Sequence, residues 1–350
     1  MSRAFPSPSH LPLLRQALLS WFHLNRRPLP WRSTRDPYAI WVSEIMLQQT
    51  RVAAVLDKYR AFLAAFPTVH SLAAAPQPAV LTLWSGLGYY RRARMLHAAA
   101  QLIVRDHSGS LPTTAAQLRT LPGIGLYTSA AIASIAHNQP VPVVDGNVER
   151  VIQRLAGLGS ADHDHQSALN RQIHSIAATL LHPTLPGDFN QAMMELGATL
   201  CLPRSPQCLT CPLHPFCRTR GEHPTPRRAP MRTEPAAYAL ALHPGTNTTE
   251  ILLEHRPATL TVMPGLWQLP QLASTTFPPS EAVLSARHAI MQVNYAVTVR
   301  SLTPAQLNQD PQLTLPTGPR QWTPLPLLPT LPLTGLTRKI LLRLHLLPKS

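Results

Sequence analysis

The hydrophobic period of this chain changes once, and the change divides it. From residue 11 to residue 200 apolar residues recur at steps of three and four, as in helices that each bury one face. Segments of this kind fall at 11–26, 37–65, 68–74, 77–85, 89–107, 114–120, 126–137, 146–156, 165–181 and 188–200. Short turns part them, several with Pro or Gly. Residues 219–235, TRGEHPTPRRAPMRTEP, keep no period and are rich in Pro and Arg, so they read as a linker. Beyond it AAYALALHP, EILLEHR, LWQLP and YAVTVRSL are short runs suited to strands. Residues 280–290 are predicted as one helix, and a short helix is expected to end the tail. The expected architecture is a mostly α part over 1–218, the linker, and a small α+β domain over 236–350.

At 350 residues the chain is long enough for two domains with cores of their own. Its net charge of +15 points to a polyanionic partner. Most of the excess lies before residue 234, so polyanion binding is expected of the helical part. Lysine occurs only at Lys58, Lys339 and Lys349, and the other basic residues are arginine. No run reaches roughly 18 apolar residues, so no membrane-spanning helix is expected. The opening MSRAFPSPSHLPLLRQAL has neither a long apolar run nor a small-residue cleavage site, so no export signal is expected.

The four cysteines fall in one stretch, CLPRSPQCLTCPLHPFC: Cys201, Cys208, Cys211 and Cys217. Four thiolates in a loop suit tetrahedral zinc or an iron–sulfur cluster. Zinc ribbons usually bring two CxxC pairs, and one is present here. The compact loop is the better match to a 4Fe-4S cluster. Disulfides would require an oxidising compartment.

LPGIGLYTSAAIASIA (121–136) sets a tight turn containing Gly123 and Gly125 just before a helical pattern. Glycines let backbone N–H groups approach an anion, and a helix N-terminus favours a phosphate. The reading is a helix-hairpin-helix clamp on a DNA backbone, with an ordinary helical hairpin as the plain alternative. In VPVVDGNVERVIQRL (141–155), Asp145 stands where it caps the next helix. A carboxylate at a helix N-terminus is also favoured as the anion, which a developing sugar cation needs. Glu44 in WVSEIMLQQT (41–50) shares a helical face with Trp41, Ile45 and either Leu47 or Gln48. Burial among them is expected to raise its pKa and let it carry a proton near neutrality. One ionised and one protonatable carboxyl are what glycosidic cleavage requires. A surface position for Glu44 is the alternative. Gln48 and Gln49, and Tyr89 and Tyr90 ahead of Arg91, Arg92 and Arg94, suggest base stacking with phosphate contacts. A core position with a solvated face fits them equally.

LPWR (29–32), DPYAIWVSEIMLQQTRV (36–52), LWSGLGYYRRARMLHAAA (83–100), LPGIGLYTSAA (121–131), VVDGNVERV (143–151), FNQAMMELGATLC (189–201) and the cysteine loop together resemble the helix-hairpin-helix DNA glycosylase superfamily. Within it the chain resembles the adenine DNA glycosylase (MutY) family. MPGLWQLP (263–270) resembles the opening of that family's Nudix-like second domain. The resemblance implies a monofunctional enzyme of base excision repair. It would act as a monomer on duplex DNA bearing A·8-oxoguanine or A·G mispairs, in a bacterial cytoplasm. It implies Glu44 as the acid that protonates the adenine and Asp145 as the carboxylate that stabilises the cationic sugar, with Tyr127 and Asn147 in support. Arg27, Trp31, Leu47 and Glu195 resemble the adenine pocket. Gln49 and Tyr89 resemble residues that intrude into the duplex, and the cysteines resemble ligands of a 4Fe-4S cluster.

Three features depart from the family pattern. In RHAIMQVNY (287–295) His288 is kept, but Ile290, Met291 and Gln292 replace the Phe-Ser-His part of the lesion-reading loop. Residues 270–290 contain Glu281 as their one acid, too few for a Nudix magnesium site. Glu149 stands where the family often has a basic residue. The nearest rival is an endonuclease III-like pyrimidine glycosylase with lyase activity. Its Schiff-base chemistry needs an amine, and its lysine would occupy the place of Tyr127. A non-catalytic iron–sulfur DNA-binding protein is the rival from another class.

Overall fold

A computed structural model describes residues 5, 8–159, 166–222, 231–246, 248–260, 262–275, 277–290, 292–309, 314–315 and 318–348. Residues 223–230 of the expected linker lie outside them. The chain divides into two compact units that are not contiguous in sequence. The first holds residues 1–59, 66–73 and 98–227; the second holds 60–65, 74–97 and 228–350.

The helices of the helical region are α1 (Leu11–Asn25), α2 (Pro37–Leu47), α3 (Val52–Ala65), α4 (Val69–Ala74), α5 (Gln77–Trp84), α6 (Arg91–Asp106), α7 (Ala115–Leu118), α8 (Leu126–His137), α9 (Gly146–Ala156), α10 (Gln166–Leu180) and α11 (Pro186–Thr199). Their starts are written locally. Asp36 caps α2, accepting from the N–H groups of Tyr38 and Ala39, with Pro37 at the first helical position. Thr114 caps α7 through the Gln117 N–H. Asn138, left-handed at φ 55°, ends α8.

In the first unit α1, α9, α10 and α11 enclose a core of Leu14, Leu18, Phe22, Val151, Ile152, Ile173, Leu180, Phe189 and Leu196. Helix α2 packs on α8 and is buried from Tyr38 through Met46. The segment expected as one helix over 37–65 is therefore two. The chain bends at Gln48 (ψ 113°) and Gln49 (φ 55°), between α2 and α3. The apolar period runs straight through the bend, so it left no mark in the pattern.

Among the described residues, the second unit is built on an eight-stranded mixed sheet. Its strands are β1 (Arg232–Pro244), β2 (Thr249–His255), β3 (Trp267–Gln268), β4 (Gln271–Leu272), β5 (Ala282–Ile290), β6 (Val293–Leu302), β7 (Thr314–Leu315) and β8 (Arg320–Pro324), accompanied by α12 (Pro304–Gln309) and α13 (Gly335–Arg343). The long β1 pairs parallel with β6 over Arg232 to Ala241, and antiparallel with β2 at its far end. The helix expected over 280–290 is strand β5, paired antiparallel with β6. Its alanines, leucine and arginine favour a helix, but a partner strand on one side decides in favour of the sheet. In this unit the Tyr90 hydroxyl donates to the Leu333 carbonyl (2.8 Å), Thr82 Oγ1 donates to the Thr330 carbonyl (3.0 Å), and Arg94 donates to the Pro264 carbonyl. Among the described residues no helix is long and apolar enough to cross a membrane. The division into an α part and a β part is as expected; the iron–sulfur element of the expected fold is not, as the next section describes.

Candidate active site

A cleft of about 760 Å³ opens in the first unit, and three helix ends and one helix face build it. The C-terminal end of α2 brings Glu44, Leu47 and Gln48, and the bend after it brings Gln49. The glycine turn brings Gly123 and Gly125, and the first turn of α8 brings Tyr127. The start of α9 brings Asp145 and Asn147. The face of α11 brings Glu195, and the segment before α2 brings Arg27 and Trp31. Most of the expected site residues thus meet in one cavity. Arg32, Thr128, Gln191, Met194 and Ala198 line it too and were not singled out from the sequence. Arg32 had a signal, since it directly follows Trp31 in LPWR.

Glu44 is 5% exposed. The Tyr127 hydroxyl donates to its Oε2 at 2.8 Å. Burial pushes the carboxyl up, to about 7; the hydrogen bond from Tyr127 pulls it down, the charge of Asp145 pushes it up, and Arg32 pulls it down. Burial likewise drives the Tyr127 hydroxyl well above its ordinary pKa, so it is a neutral donor.

Asp145 does cap α9. Its Oδ1 accepts from the N–H groups of Asn147 (3.0 Å) and Val148 (2.7 Å), and its Oδ2 accepts from Asn147 Nδ2 (3.1 Å). Capping and facing the cleft are one geometry, because the capped helix points its first turn into the cavity. Asn147 is held in turn: Arg150 donates to its Oδ1 at 2.9 Å and to the Gly197 carbonyl at 2.7 Å. Helix α11 comes so close here that a Cβ on Gly197 would lie 2.7 Å from Asn147 Cβ and 3.0 Å from its carbonyl oxygen. The obstacles are the Cβ and the backbone of Asn147, which yield little. Gly197→Ala is expected to lower stability by about 1–3 kcal/mol, as overpacking does. A shift in urea midpoint at unchanged slope would register it, and an unchanged midpoint would show that α9 can retreat.

Glu195 is fully buried and bound from three directions. Arg27 donates its backbone N–H and Nε to Oε1 (3.0 and 2.8 Å) and an Nη to Oε2 (2.7 Å); Arg32 adds a second Nη on Oε2 at 2.7 Å. Burial alone would raise this carboxyl, but the bonds from Arg27 and Arg32 overcome it and hold the pKa at about 2. The two arginines are thereby fixed at the cavity wall. Gln48 Nε2 donates to Thr128 Oγ1 (3.1 Å), tying the bend to α8. Gly123 takes φ 76° in the turn before α8, a conformation glycine adopts without strain.

The remaining expected residues lie elsewhere. Tyr89, Tyr90 and Arg91 belong to the second unit. Tyr89 is 49% exposed and has φ 47°. Tyr90 is a correction: it is 3% exposed, with its hydroxyl spent on Leu333, so it is a core residue and no platform for a base. His288 sits half-buried on β5 opposite Tyr295, and burial followed by the charge of Lys339 lowers its pKa. Gln292 is exposed in the turn between β5 and β6, and Met291 lies outside the described residues.

The cysteines require a second correction. Cys201, Cys208, Cys211 and Cys217 border a small separate cleft with Arg154, all as free thiols. They are not gathered into a metal-binding arrangement: among the described residues, no group of three or more His, Cys, Asp or Glu side chains is placed to hold a metal ion. Burial pushes the Cys211 thiol up to about 11 and raises that of Cys208. The 4Fe-4S cluster expected from the spacing is withdrawn as cofactor and as part of the fold. Spacing along the chain does not state how sulfurs are disposed in space.

Residues 42–177 match the family model described as HhH-GPD superfamily base excision DNA repair protein. The chain is 37% identical over 345 residues to an adenine DNA glycosylase of Homo sapiens, across 82% of this chain and 62% of that protein. It is 46% identical over 233 residues to an adenine DNA glycosylase of Mus musculus, across 62% of this chain and 45% of that protein. It thus spans about half to three-fifths of the length of these relatives. Among solved structures, a thermostable thymine-DNA glycosylase is similar at 28% identity and a TM-score of 0.54, covering 61% of this chain and 97% of that one. A trapped endonuclease III–DNA covalent intermediate shares the fold at 22% identity and a TM-score of 0.52, over 61% of this chain and 97% of that one. With a carboxyl pair and a glycine turn meeting in one cleft, the chain carries over residues 42–177 the domain described as that of the HhH-GPD superfamily of base excision DNA repair proteins.

Proposed function

We propose that the chain is a monofunctional adenine DNA glycosylase, which flips adenine out of A·8-oxoguanine and A·G mispairs in duplex DNA and hydrolyses its glycosidic bond. One observation carries the reading: a buried carboxyl, Glu44, protonatable near neutrality, stands in the same cleft as the helix-capping carboxyl of Asp145. Adenine leaves poorly as an anion. Glu44 gives its proton to a ring nitrogen as the bond from that base to C1′ breaks. Asp145 stabilises the positive charge left on the sugar, and water completes an abasic site. Arg27, Trp31, Leu47 and Glu195 form the pocket for the extruded base. Gln48, Gln49, Gly123 and Gly125 meet the DNA at the cleft, and Tyr89 and Arg91 are DNA-binding residues on the same reading.

Residues 1–218 carry the glycosylase chemistry on this reading, and 236–350 read the opposite base, with His288 and Gln292 as the polar groups nearest the family's lesion-reading loop. The test is incubation with a duplex bearing one A·8-oxoguanine pair, followed by alkali. Strand scission after alkali at the adenine is expected, and an intact strand would end the proposal.

The lyase reading differs by one amine. Among the described residues no lysine lines the cleft, and Tyr127 stands where a lyase would place one. Borohydride trapping is expected to give little covalent adduct. Efficient trapping that vanishes in Lys58→Ala would establish a lyase.

A further inference from the structure

The Tyr127 hydroxyl has one hydrogen and two acceptors within reach. Its oxygen lies 2.8 Å from Glu44 Oε2 and 3.4 Å from Met194 Sδ on α11. We propose that Met194 is a positioning residue for the acid: its sulfur accepts the Tyr127 hydrogen bond when Glu44 carries its proton on Oε2, which favours that acid form of Glu44. The inference rests on the reading of Glu44 as the proton donor.

The reason is a proton inventory. When Glu44 is ionised, it accepts and Tyr127 donates, so one hydrogen fills the gap between the two oxygens. When the carboxyl carries its proton on Oε2, directed at Tyr127, two hydrogens compete for that gap, and one must turn away. A buried O–H without an acceptor is costly. A thioether is a weak acceptor but a real one, and it is close enough for the hydroxyl to rotate toward it. Tyrosine oxygen is then free to accept from the carboxyl. The Tyr127 bond taken alone holds the Glu44 pKa down, and Met194 offsets that pull by giving the tyrosine a second place to donate.

Every charged group facing Glu44 has a different role. Tyr127 on α8 bonds it, and Asp145 at the start of α9 and Arg32 before α2 act by charge. Glu195, next to Met194 on α11, is bound to Arg27 and Arg32. Met194 is uncharged and acts only through Tyr127. A pure packing role for it has the opposite signature, because leucine in its place makes the surroundings more apolar and raises a carboxyl pKa.

The experiment is a carboxyl-carbon NMR titration of the full chain, labelled at glutamate, with the Glu44 signal identified by its absence in Glu44→Gln. Met194→Leu conserves volume and removes the acceptor. It is expected to move the Glu44 midpoint down by about half a pH unit, roughly threefold in the acid-to-base ratio. Met194→Gln, with an amide oxygen at similar reach, is expected to bring it back. An unchanged or raised midpoint in the leucine variant overturns the inference, as does a glutamine variant that stays low. Single-turnover adenine release across the same pH range separates the two readings. Adenine release whose alkaline limb ignores Met194 sinks the role of Met194 alone. A midpoint that follows Met194 in a protein releasing no adenine leaves that role standing and sinks the glycosylase.

Discussion

Glu44→Gln is expected to release adenine about 10²–10⁴ times more slowly than the parent chain, the usual cost of losing a positioned proton donor. Asp145→Asn is expected to fall as far for a different reason. Asparagine caps a helix about as well as aspartate, so the start of α9 survives, while the charge and the bond that Oδ2 accepts from Asn147 Nδ2 are lost. Mispair binding should persist in both, because each change spares the glycine turn and the arginines. Single-turnover rates and dissociation constants measure the two effects separately. A Glu44→Gln protein keeping more than roughly a tenth of the parent rate rejects the acid role. The same residue sets a pH limit. The reaction needs Glu44 protonated, so the rate should decline as pH rises through about 7. The linked stability runs the same way: a carboxyl with a raised folded pKa favours the fold most fully below its unfolded value of 4.5, and that contribution is lost as pH rises through about 7.

Glu195→Gln is expected to cost about 3–5 kcal/mol of folding stability, the scale for removing one partner of a buried ion pair. The loss is large because two cations depend on this acid. The Arg32 side chain is 10% exposed and has little water to turn to; Arg27, at 39%, recovers more of its hydration. The pH dependence has the opposite sign to that of Glu44. A carboxyl held at about 2 contributes fully above its unfolded value of 4.5 and is lost as pH falls through about 2. The gap between parent and variant should therefore be widest at neutral pH and narrow in acid. Urea unfolding at pH 7 and pH 3 reads both numbers. A gap at pH 7 below about 1 kcal/mol, the value of an exposed pair, would mean that the arginines find other partners.

Local chemistry was legible in the chain where it acts over a few residues. The cap Asp145 announces α9 by residue type and position, and Trp41 and Ile45 mark Glu44 for burial on a helix that proves buried all along, from Tyr38 through Met46. What depends on distant partners was not. The bend at Gln48 and Gln49 interrupts no pattern, since both flanks keep the same period. Strand β5 is made of residues suited to a helix and becomes a strand because β6 lies beside it. The bonds of Arg27 and Arg32 to Glu195 join positions more than 160 apart, and their strength comes from burial that no local window contains. The cysteine spacing misled for the same reason, because it counts residues and says nothing of where four sulfurs point. Tyr90 and Tyr89 are adjacent and alike in type, yet one is core and the other exposed.

The second unit takes residues 74–97 from the middle of the chain and joins them to 228–350, through bonds such as Tyr90 to Leu333 and Thr82 to Thr330. A gene cut at the Pro/Arg linker is therefore not a cut between bodies. A truncation at residue 232 would strip α5 of its neighbours in 325–330 and leave the buried Tyr90 without Leu333. Such a fragment should be sticky and short-lived even if its cleft is intact. Recombination that swaps the tail for another would inherit the same mismatch unless residues 74–97 travelled with it. Residues 74–97 and 228–350 are two lengths of chain that fold as one body.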